Sequence, residues 1–370
     1  MSSREIVEKL LREAGVEING TKPWDIQVHD DRFYKSVITG GSLALGESYM
    51  DRWWDVENLD QFFYKVLRAD LQKNLRPSLG LILNFLKYKL FNLQKKTRAV
   101  EVADKHYNLG NDLYSSFLDP YYQYTCGYFK NTDDLNSAQE QKLDLICRKL
   151  QLKPGDKVLD LGCGWGGLAK YMAEHYGCSV VGVNIAEEQV KFAREFTKGL
   201  PVEIRQMDYR DIEGKFDKIS AIGLLEHVGV KNYRKLFKII RNSLKDDGLA
   251  LVHSIGSNLL AGSPDEWITK YIFPNGQLPS IRQVGYGIND TLVLEDWHSF
   301  GNYYDLTLMA WFKNFDKNWD KLKDKYGERF YRMWKYYLLS CAGGFRAREI
   351  QLWQIVLSKN GIVGGYSSVR

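Results

Sequence analysis

The stretch of sequence that decides the fold runs from an apolar segment into a turn rich in glycine. It reads Val158-Leu159-Asp160-Leu161-Gly162-Cys163-Gly164-Trp165-Gly166-Gly167. The apolar half is typical of a buried parallel strand, and glycines let the backbone approach a ligand closely. A helical pattern follows, so the stretch predicts a strand, a ligand-binding turn and a helix in succession.

Short apolar or β-branched runs alternate with helical stretches from about residue 153 onward. The runs are residues 157–161, 179–183, 202–206, 218–222 and 249–253. This alternation predicts a mostly parallel sheet with right-handed crossovers and a ligand crevice at the carboxyl ends of its strands. We therefore expect an α/β, Rossmann-like fold preceded by a smaller, mainly helical N-terminal domain.

The polar residues around the turn decide between two cofactor classes, dinucleotides and S-adenosylmethionine (SAM). A dinucleotide site would place an acid about 20 residues on, at the end of the second strand, where this chain has Asn184. Asp160 suits the cationic methionyl end of SAM, and Asp208 can accept a hydrogen bond from an adenine amino group. Asn184 or Gln189 can supply neutral hydrogen bonds to the ribose. We therefore predict a SAM-dependent methyltransferase fold; a helix-capping role for Asp160 and a turn role for Asp208 stay open.

Composition limits the class of protein. The chain has 370 residues, a net charge of +5, 44% hydrophobic residues and 26% charged residues, which predicts a globular protein of two or three units. No apolar run reaches the ~18 residues of a spanning helix, and Glu5 and Glu8 interrupt any secretory signal. Five cysteines at irregular spacing fit neither a CxxC metal pair nor a disulfide framework. We expect a cytoplasmic location and no metal.

Positive charge is concentrated in residues 61–100, which carry nine basic residues and one acid. Two helical apolar stripes are separated by Pro77. They are Leu59, Phe62, Phe63, Val66 and Leu67, and Leu79, Ile82, Leu83, Leu86 and Leu90. The first is predicted to face the core, and the second suits an anionic lipid surface as well as a core. We therefore expect a lipid-docking domain in residues 1–96 and a catalytic domain in residues 97–370.

Two ionisable residues follow neighbouring strands of the predicted sheet. Glu226 comes after the fourth strand and His253 ends the fifth, so both are expected to emerge side by side at the crevice. Upstream, residues 121–128 form an aromatic-rich segment with one thiol, Cys126. These residues predict an active site at the carboxyl edge of the sheet.

Several stretches of the chain together resemble the bacterial cyclopropane-fatty-acyl-phospholipid synthases. They are residues 41–51 and 106–112, Gly164-Trp165-Gly166-Gly167, Tyr271-Ile272-Phe273-Pro274-Asn275-Gly276, Glu295-Asp296-Trp297-His298 and Cys341-Ala342-Gly343-Gly344-Phe345-Arg346. The resemblance covers nearly the whole chain. The related mycolic acid cyclopropane synthases share its second half, and the N-terminal block favours the phospholipid enzymes.

The resemblance implies transfer of a methylene group from SAM to the cis double bond of unsaturated phospholipid acyl chains, with a bound bicarbonate ion as general base. The residues it implies as the bicarbonate cradle are Cys126, Glu226, His253, Ile255 through its backbone, and Tyr304. The cofactor contacts it implies are Tyr124, Thr125, Gly162, Gly164, Gly166, Gly167, Asn184 to Gln189, Tyr209 and Arg210. For Cys126, a small buried apolar role is the alternative.

Cys341 is a further candidate for the catalytic set, with a weaker argument. Methylation of an alkene requires no enzyme thiolate, and no basic group that would lower its pKa is evident in the adjacent sequence. We expect Cys341 to have a packing role.

Three other functions compete with this interpretation. A nucleic-acid methyltransferase is disfavoured because the positive charge lies on lipid-type amphipathic helices, so we expect no nucleic-acid partner. A non-catalytic lipid-binding relative is disfavoured by the reactive residues at every ligand position. A SAM enzyme that adds a methyl or methylene branch to the same alkene stays open. The expected partners are unsaturated phospholipids at the inner face of the cell membrane, with a homodimer left open.

Overall fold

The structure is a computed structural model that describes residues 1–69, 110–258 and 265–370. In chain order the helices and strands are α1 (Ser3–Glu13), β1 (Gln27–Val28), α2 (Arg32–Met50), β2 (Trp54–Asp55), α3 (Leu59–Arg68), α4 (Asn111–Ser115), α5 (Leu135–Lys149), β3 (Lys157–Leu161), α6 (Gly167–Tyr176), β4 (Ser179–Asn184), α7 (Glu187–Phe196), β5 (Val202–Gln206), β6 (Phe216–Ile222), α8 (Leu225–Val228), α9 (Tyr233–Ser243), β7 (Leu244–Ser257), α10 (Glu266–Tyr271), α11 (Ile281–Ile288), β8 (Val293–Ser299), α12 (Asn302–Asn318), α13 (Lys323–Arg346) and β9 (Ile350–Ser358).

The chain divides into two compact units. The first comprises Met1–Phe91, Gly262–Pro274 and Tyr304–Ile350, and the second comprises Asn92–Ala261, Asn275–Tyr303 and Gln351–Arg370. These units differ from the division expected at residues 96 and 97, because two later segments join the N-terminal unit. Separation along the sequence did not reveal that α13 packs against α3.

The second unit is built on a seven-stranded sheet in the order β5-β4-β3-β6-β7-β9-β8. The pairs β3 with β4, β4 with β5, β3 with β6 and β6 with β7 are parallel, and β8 is antiparallel to β9. The chain therefore leaves β3 toward one side and returns at β6 on the other. In parallel sheets such a switch point opens a crevice at the carboxyl ends of the strands. The predicted α/β fold is confirmed.

All five predicted strands are present in this sheet. The bounds of β3 and β5 match the predicted runs, whereas β6 and β7 begin earlier, at Phe216 and Leu244. Pairing of Phe216 with Leu244 extends this ladder beyond the apolar runs, past a register shift. Exposed charged residues at the start of β7 had concealed its length, because apolar patterning reports only the buried part of a strand.

Helices cover both faces of the sheet. Leu236, Phe237 and Ile240 of α9 pack in one cluster with apolar residues of β3, β6 and β7. Ile146 of α5 and Met172 of α6 belong to the cluster on the other face. A parallel sheet needs this double cover, since both of its faces are apolar.

The first unit buries three of the five residues of the apolar stripe that the sequence predicted at residues 59–67, and the other two, Val66 and Leu67, are half-buried. Leu59, Phe62 and Phe63 of α3 are buried, and α3 packs against α13. Arg346 at the end of α13 bonds Asp60 and Asp305 at 2.6 to 2.9 Å. The core-facing interpretation of this helix is confirmed. The second predicted amphipathic helix lies outside the described residues.

Candidate active site

The glycine-rich turn follows β3 directly and adopts backbone conformations that favour glycine. Gly162, Gly164 and Gly166 have φ angles of 76°, 55° and 84°, in the left-handed region that side chains with a Cβ rarely adopt. A Cβ on Gly167 would overlap the carbonyl oxygen of Tyr121. The last glycine is therefore required because another part of the chain lies against the start of α6.

That part of the chain is a compact loop, residues 119–126, which we call the covering segment. The two carboxylate oxygens of Asp119 accept hydrogen bonds from the backbone N–H groups of Gln123 and Tyr121, each at 2.8 Å. Tyr124 lies edge-on to Tyr114, with ring centroids 5.3 Å apart, and to Trp165 of the turn, at 6.5 Å. The structure thus places Tyr124 beside the glycine turn, and its contact with the cofactor stays a prediction.

A buried lysine of α5 anchors the covering segment from below. The Lys142 side chain is fully buried, and its Nζ donates to Gln123 Oε1 at 2.5 Å and to Thr125 Oγ1 at 2.9 Å. Gln139, one turn earlier, donates from Nε2 to the carbonyl of Thr125 at 2.8 Å. Burial lowers the pKa of Lys142 to about 8, so the ammonium remains charged at neutral pH.

Asp160 lies on β3 next to the turn and is almost completely buried. Its Oδ1 accepts a hydrogen bond from Ser220 Oγ of the neighbouring β6 at 2.7 Å. Burial raises the pKa of Asp160 to about 6, and the Lys142 charge opposes that rise. At neutral pH the site therefore holds a buried carboxylate beside the turn, suited to a cationic ligand group.

The end of β4 is tied to the turn by amide hydrogen bonds. Asn184 Nδ2 donates to Gln189 Oε1 at 2.9 Å and to the Gly164 carbonyl at 3.3 Å, and Asn184 Oδ1 accepts from the Ala186 backbone at 3.2 Å. The structure brings these predicted cofactor residues together. It also shows a turn-bracing role for Asn184 that its position in the sequence did not indicate.

Asp208 and Arg210 pair with each other after β5. Arg210 donates from Nε and from a terminal guanidinium nitrogen to the two Asp208 oxygens at 2.7 and 2.6 Å, and from its backbone N–H at 2.9 Å. Burial raises the pKa of Tyr209, between them, to about 12. Asp208 caps the short 3₁₀ turn Tyr209–Asp211, so the turn role left open for it is present. Its contact with an adenine stays a prediction.

Glu226 and His253 lie at the carboxyl ends of the paired strands β6 and β7. The backbone N–H of Ile255 donates to Glu226 Oε1 at 2.7 Å, and the N–H of Gly223 donates to the carbonyl of His253 at 2.9 Å. Both side chains are buried, with 9% and 1% of their residue surface exposed. The predicted juxtaposition is therefore present, and the Ile255 amide holds the Glu226 carboxylate.

Each of these two side chains keeps one buried polar atom without a hydrogen-bond partner among the described residues, Glu226 Oε2 and His253 Nε2. Burial raises the pKa of Glu226 to about 7. Burial, with the charges of Lys142 and Lys149, lowers the pKa of His253 well below its usual value, so the imidazole is neutral. Buried polar groups normally find partners, so these two atoms are available to a ligand.

Gln354 of β9 lies against one ring nitrogen of His253. In this orientation of the Gln354 amide, Nε2 lies 3.3 Å from His253 Nδ1, so Nδ1 accepts and the hydrogen of the neutral ring resides on Nε2. The unpartnered Nε2 is consequently a donor. Together, His253 Nε2–H and Glu226 Oε2 offer one donor and one acceptor.

Comparison with known proteins identifies the family to which this site belongs. The profile of the mycolic acid cyclopropane synthetase family matches residues 94–355. The chain is 53% identical to the cyclopropane-fatty-acyl-phospholipid synthase of Escherichia coli K12, over 99% of this chain and 95% of that protein. The chain belongs to the cyclopropane-fatty-acyl-phospholipid synthase family. As predicted, it is an enzyme, a SAM-dependent transferase of this family.

Two further relatives bear on the fold and on the range of chemistry. A probable fatty acid methyltransferase of Pseudomonas putida is 36% identical over 72% of this chain and 70% of its own. The mycolic acid cyclopropane synthase CmaA1, crystallised with SAH and CTAB, is 29% identical, with a TM-score of 0.67 over 70% of this chain and 98% of its own. The comparison with CmaA1 confirms the methyltransferase fold of this chain.

The remaining predicted residues of the family site are Cys126 in the second unit and Tyr304 and Cys341 in the first. Cys126 is buried in the covering segment, where its thiol donates to the Gly127 carbonyl at 3.2 Å. Tyr304, in the first unit, is buried and stacks on Phe345 with ring centroids 4.4 Å apart. In the same unit, burial raises the pKa of Cys341 to about 12, which leaves a neutral thiol and favours the packing role.

Sequence reasoning missed Lys142, Gln139 and Gln354, which support the site without belonging to the family motifs quoted above. A signal for two of them was present in α5, where Gln139, Lys142 and Lys149 interrupt its buried apolar face at helical spacing. Charged residues are rarely fully buried unless they have partners. A lysine in the apolar face of a predicted helix was therefore a sign of a polar partner elsewhere in the chain.

Proposed function

We propose that the protein transfers a methylene group from SAM to the cis double bond of unsaturated phospholipid acyl chains, with a bound bicarbonate ion as the general base. The 53% identity to the E. coli phospholipid enzyme over almost the whole chain supports the substrate and the reaction. The pair of buried atoms Glu226 Oε2 and His253 Nε2 carries the assignment of the base.

The reaction sets two requirements on the protein. When bound, SAM supplies an electrophilic methyl group and bicarbonate supplies a proton acceptor. The alkene π electrons form a bond to the methyl carbon, the carbon–sulfur bond breaks and its electron pair stays on sulfur. One proton must then leave the added methyl group so that the ring closes on the cationic carbon of the chain. The protein must therefore hold the donor next to the alkene and hold a base next to the methyl group.

The residues around the glycine turn fit the first requirement. Asp160 offers a buried carboxylate for the cationic methionyl end, and Asn184 with Gln189 offers neutral polar groups for the ribose. Tyr124 and Thr125 of the covering segment, the turn from Gly162 to Gly167, and Tyr209 with Arg210 complete the proposed cofactor contacts. The close approach of Tyr121 to Gly167 keeps this segment over the turn.

Glu226 and His253 fit the second requirement. Bicarbonate has one O–H donor and several acceptor oxygens, which match an acceptor at Glu226 Oε2 and a donor at His253 Nε2–H. The positive charges of Lys142 and Lys149, which disfavour the imidazolium form of His253, also favour an anion there. We propose that Cys126, the Ile255 backbone and Tyr304 complete the cradle, as the family resemblance implies.

Mass spectrometry of unsaturated phospholipid vesicles after incubation with SAM tests the reaction. A gain of one CH₂ with loss of the alkene signal is expected. A gain of CH₂ with the alkene retained would instead identify a branch-forming methyltransferase, which the similarity to the P. putida protein keeps as the alternative. Bicarbonate-depleted buffer is expected to lower the rate, and added bicarbonate to restore it. A rate indifferent to bicarbonate would assign the base to a protein side chain.

We propose that the enzyme acts in the cytoplasm at the inner face of the cell membrane, where its substrates lie. No helix in the described parts of the chain is long and apolar enough to cross a membrane. The basic stretch from Leu79 to Arg98 is the proposed docking segment of the N-terminal domain, and it lies outside the described residues. Self-association into a homodimer is a further proposal, which light scattering would test.

A further inference from the structure

A basic surface without acidic residues lies on α9 and the turn before it. Residues 230–243 contain five basic residues and no Asp or Glu. Lys231, Lys235 and Lys238 are exposed, and none of the three has an ion-pair partner among the described residues. Other surface lysines, such as Lys191 and Lys198, are held by carboxylates of α7. These three lysines are therefore available to an external anion, whereas Arg234 of the same helix is paired with Asp290 at 3.6 Å.

The neighbouring α11 adds exposed apolar side chains to this surface. Ile281 and Tyr286 are 55% and 69% exposed, while the other side of the helix packs on α9, where a Cβ on Gly287 would crowd the Phe237 ring. Arg234 of α9 lies 5.7 Å from the Tyr286 ring centroid. It thereby joins the basic and apolar parts into one surface, which we call the α9–α11 face.

The α9–α11 face borders the catalytic edge of the sheet. The backbone N–H of Gln277, four residues before Ile281, donates to the carbonyl of Glu226 at 2.9 Å. The Gln277 side chain accepts from the N–H of Val230, the residue before Lys231, at 3.4 Å. Gln277 therefore connects both ends of the face to Glu226, one end through its own backbone and the other through the bond from Val230.

We propose that the α9–α11 face docks on an anionic membrane surface and places the carboxyl edge of the sheet, with Glu226, next to the lipid. The inference rests on the proposed phospholipid substrate. Exposed lysines meet the acidic head groups, and Ile281 and Tyr286 enter the interfacial layer, as aromatic and aliphatic side chains of peripheral proteins do. The apolar residues favour a lipid surface over a nucleic acid, whose affinity comes mainly from phosphate contacts.

Vesicle cosedimentation with a matched pair of triple variants tests the face. Lys231→Gln, Lys235→Gln and Lys238→Gln remove three cations from it, and Lys153→Gln, Lys215→Gln and Lys245→Gln remove three exposed lysines near the amino ends of β3, β6 and β7. The first triple is expected to weaken binding to phosphatidylglycerol vesicles on the order of 100-fold at low salt. The second is expected to bind as the wild type does. Neither should change SAM affinity.

A variant of the apolar part of the face separates the contribution of its apolar side chains from that of its lysines. Ile281→Ser with Tyr286→Ser is expected to weaken vesicle binding while keeping its dependence on salt, because the cations remain. Equal binding by all three variants and the wild type would overturn the proposal. A loss of self-association without a change in vesicle binding would assign the face to a second copy of the chain, and equal losses on vesicles and on RNA would make it a general polyanion surface. Both results also overturn it.

Activity on phospholipid dispersed in non-ionic detergent distinguishes failure of this inference from failure of the proposed reaction. In detergent the Lys231, Lys235 and Lys238 triple variant should form product at the wild-type rate, because no charged surface has to be reached. If the wild type forms no cyclopropane lipid in either system, the proposed function fails. The cosedimentation result then still decides whether the face binds membranes.

Discussion

At the scale of single residues, the role we propose for Glu226 depends on its charge rather than its shape. Its Oε1 is held by the Ile255 amide, and its Oε2 faces no protein donor among the described residues. Glu226→Gln keeps the volume of the side chain but replaces one acceptor oxygen with an amide donor. We expect the variant to retain wild-type SAM affinity and to lose most of its turnover. A parallel loss of SAM affinity, measured by calorimetry, would count against the assignment.

The burial of Glu226 also predicts a dependence of stability on pH. The pKa rises from 4.5 in the unfolded chain to about 7 in the fold, so between these values the folded state binds the proton more tightly. Stability from this group is therefore present below pH 4.5 and is lost as pH rises through 7. Urea unfolding measures the free energy of unfolding of Glu226→Gln relative to the wild type. This difference should favour the variant more at pH 8 than at pH 5, by on the order of 3 kcal/mol. A difference independent of pH would contradict the raised pKa.

At the scale of elements, α5 positions the covering segment through Lys142. Lys142→Met removes both donated hydrogen bonds while keeping an unbranched apolar stem. Since a hydrogen bond to a charged group contributes about 1.5 to 3 kcal/mol, we expect SAM affinity to fall on the order of tenfold or more. Binding calorimetry on the folded variant is the measurement.

Lys149 provides the matched control for that experiment, because it is a second buried lysine on the same face of α5. Its Nζ lies 3.0 Å from His298 Nδ1 and 3.7 Å from Asp296 Oδ2, and it makes no contact with the covering segment among the hydrogen bonds described. Lys149→Met should therefore leave SAM affinity near the wild-type value. Equal losses of SAM affinity in the two variants would mean that Lys142 only stabilises the fold and does not position the covering segment.

The sequence predicted those elements whose information is local. Strands β3 to β7, the glycine turn and the placement of Glu226 beside His253 all follow from apolar periodicity and from the rules of parallel sheets. The partners of Lys142 and the contact between Gln354 and His253 join positions 17 to 101 residues apart. No periodicity reports such pairs, since each depends on how distant elements pack.

At the scale of the whole molecule, the first unit shows a further limit of sequence reading. Its core joins α3 to α13, which are separated by more than half of the chain, and Arg346 bonds Asp60 across that separation. The predicted boundary at residue 96 follows composition, whereas the compact unit follows packing. The lipid-docking role proposed for residues 1–96 is predicted from their charge and does not depend on where the compact unit ends.

Charge along the whole chain predicts where membrane affinity resides. Residues 61–100 carry nine basic residues and one acid, so the rest of the chain has a net negative charge despite the overall +5. Replacing Lys87, Lys89, Lys95 and Lys96 with Gln should weaken binding to anionic vesicles and reduce its sensitivity to salt, since each surface cation contributes about 1 kcal/mol at low ionic strength.

The same four substitutions should leave SAM affinity unchanged, because all the proposed catalytic and cofactor residues lie beyond residue 96. Cosedimentation at two salt concentrations, with the Lys153, Lys215 and Lys245 triple variant as the control, measures the first effect and calorimetry the second. If vesicle binding and activity on vesicles both persist, residues 79–98 are a solvated or packing surface. The cations of the α9–α11 face would then remain as the proposed source of membrane affinity.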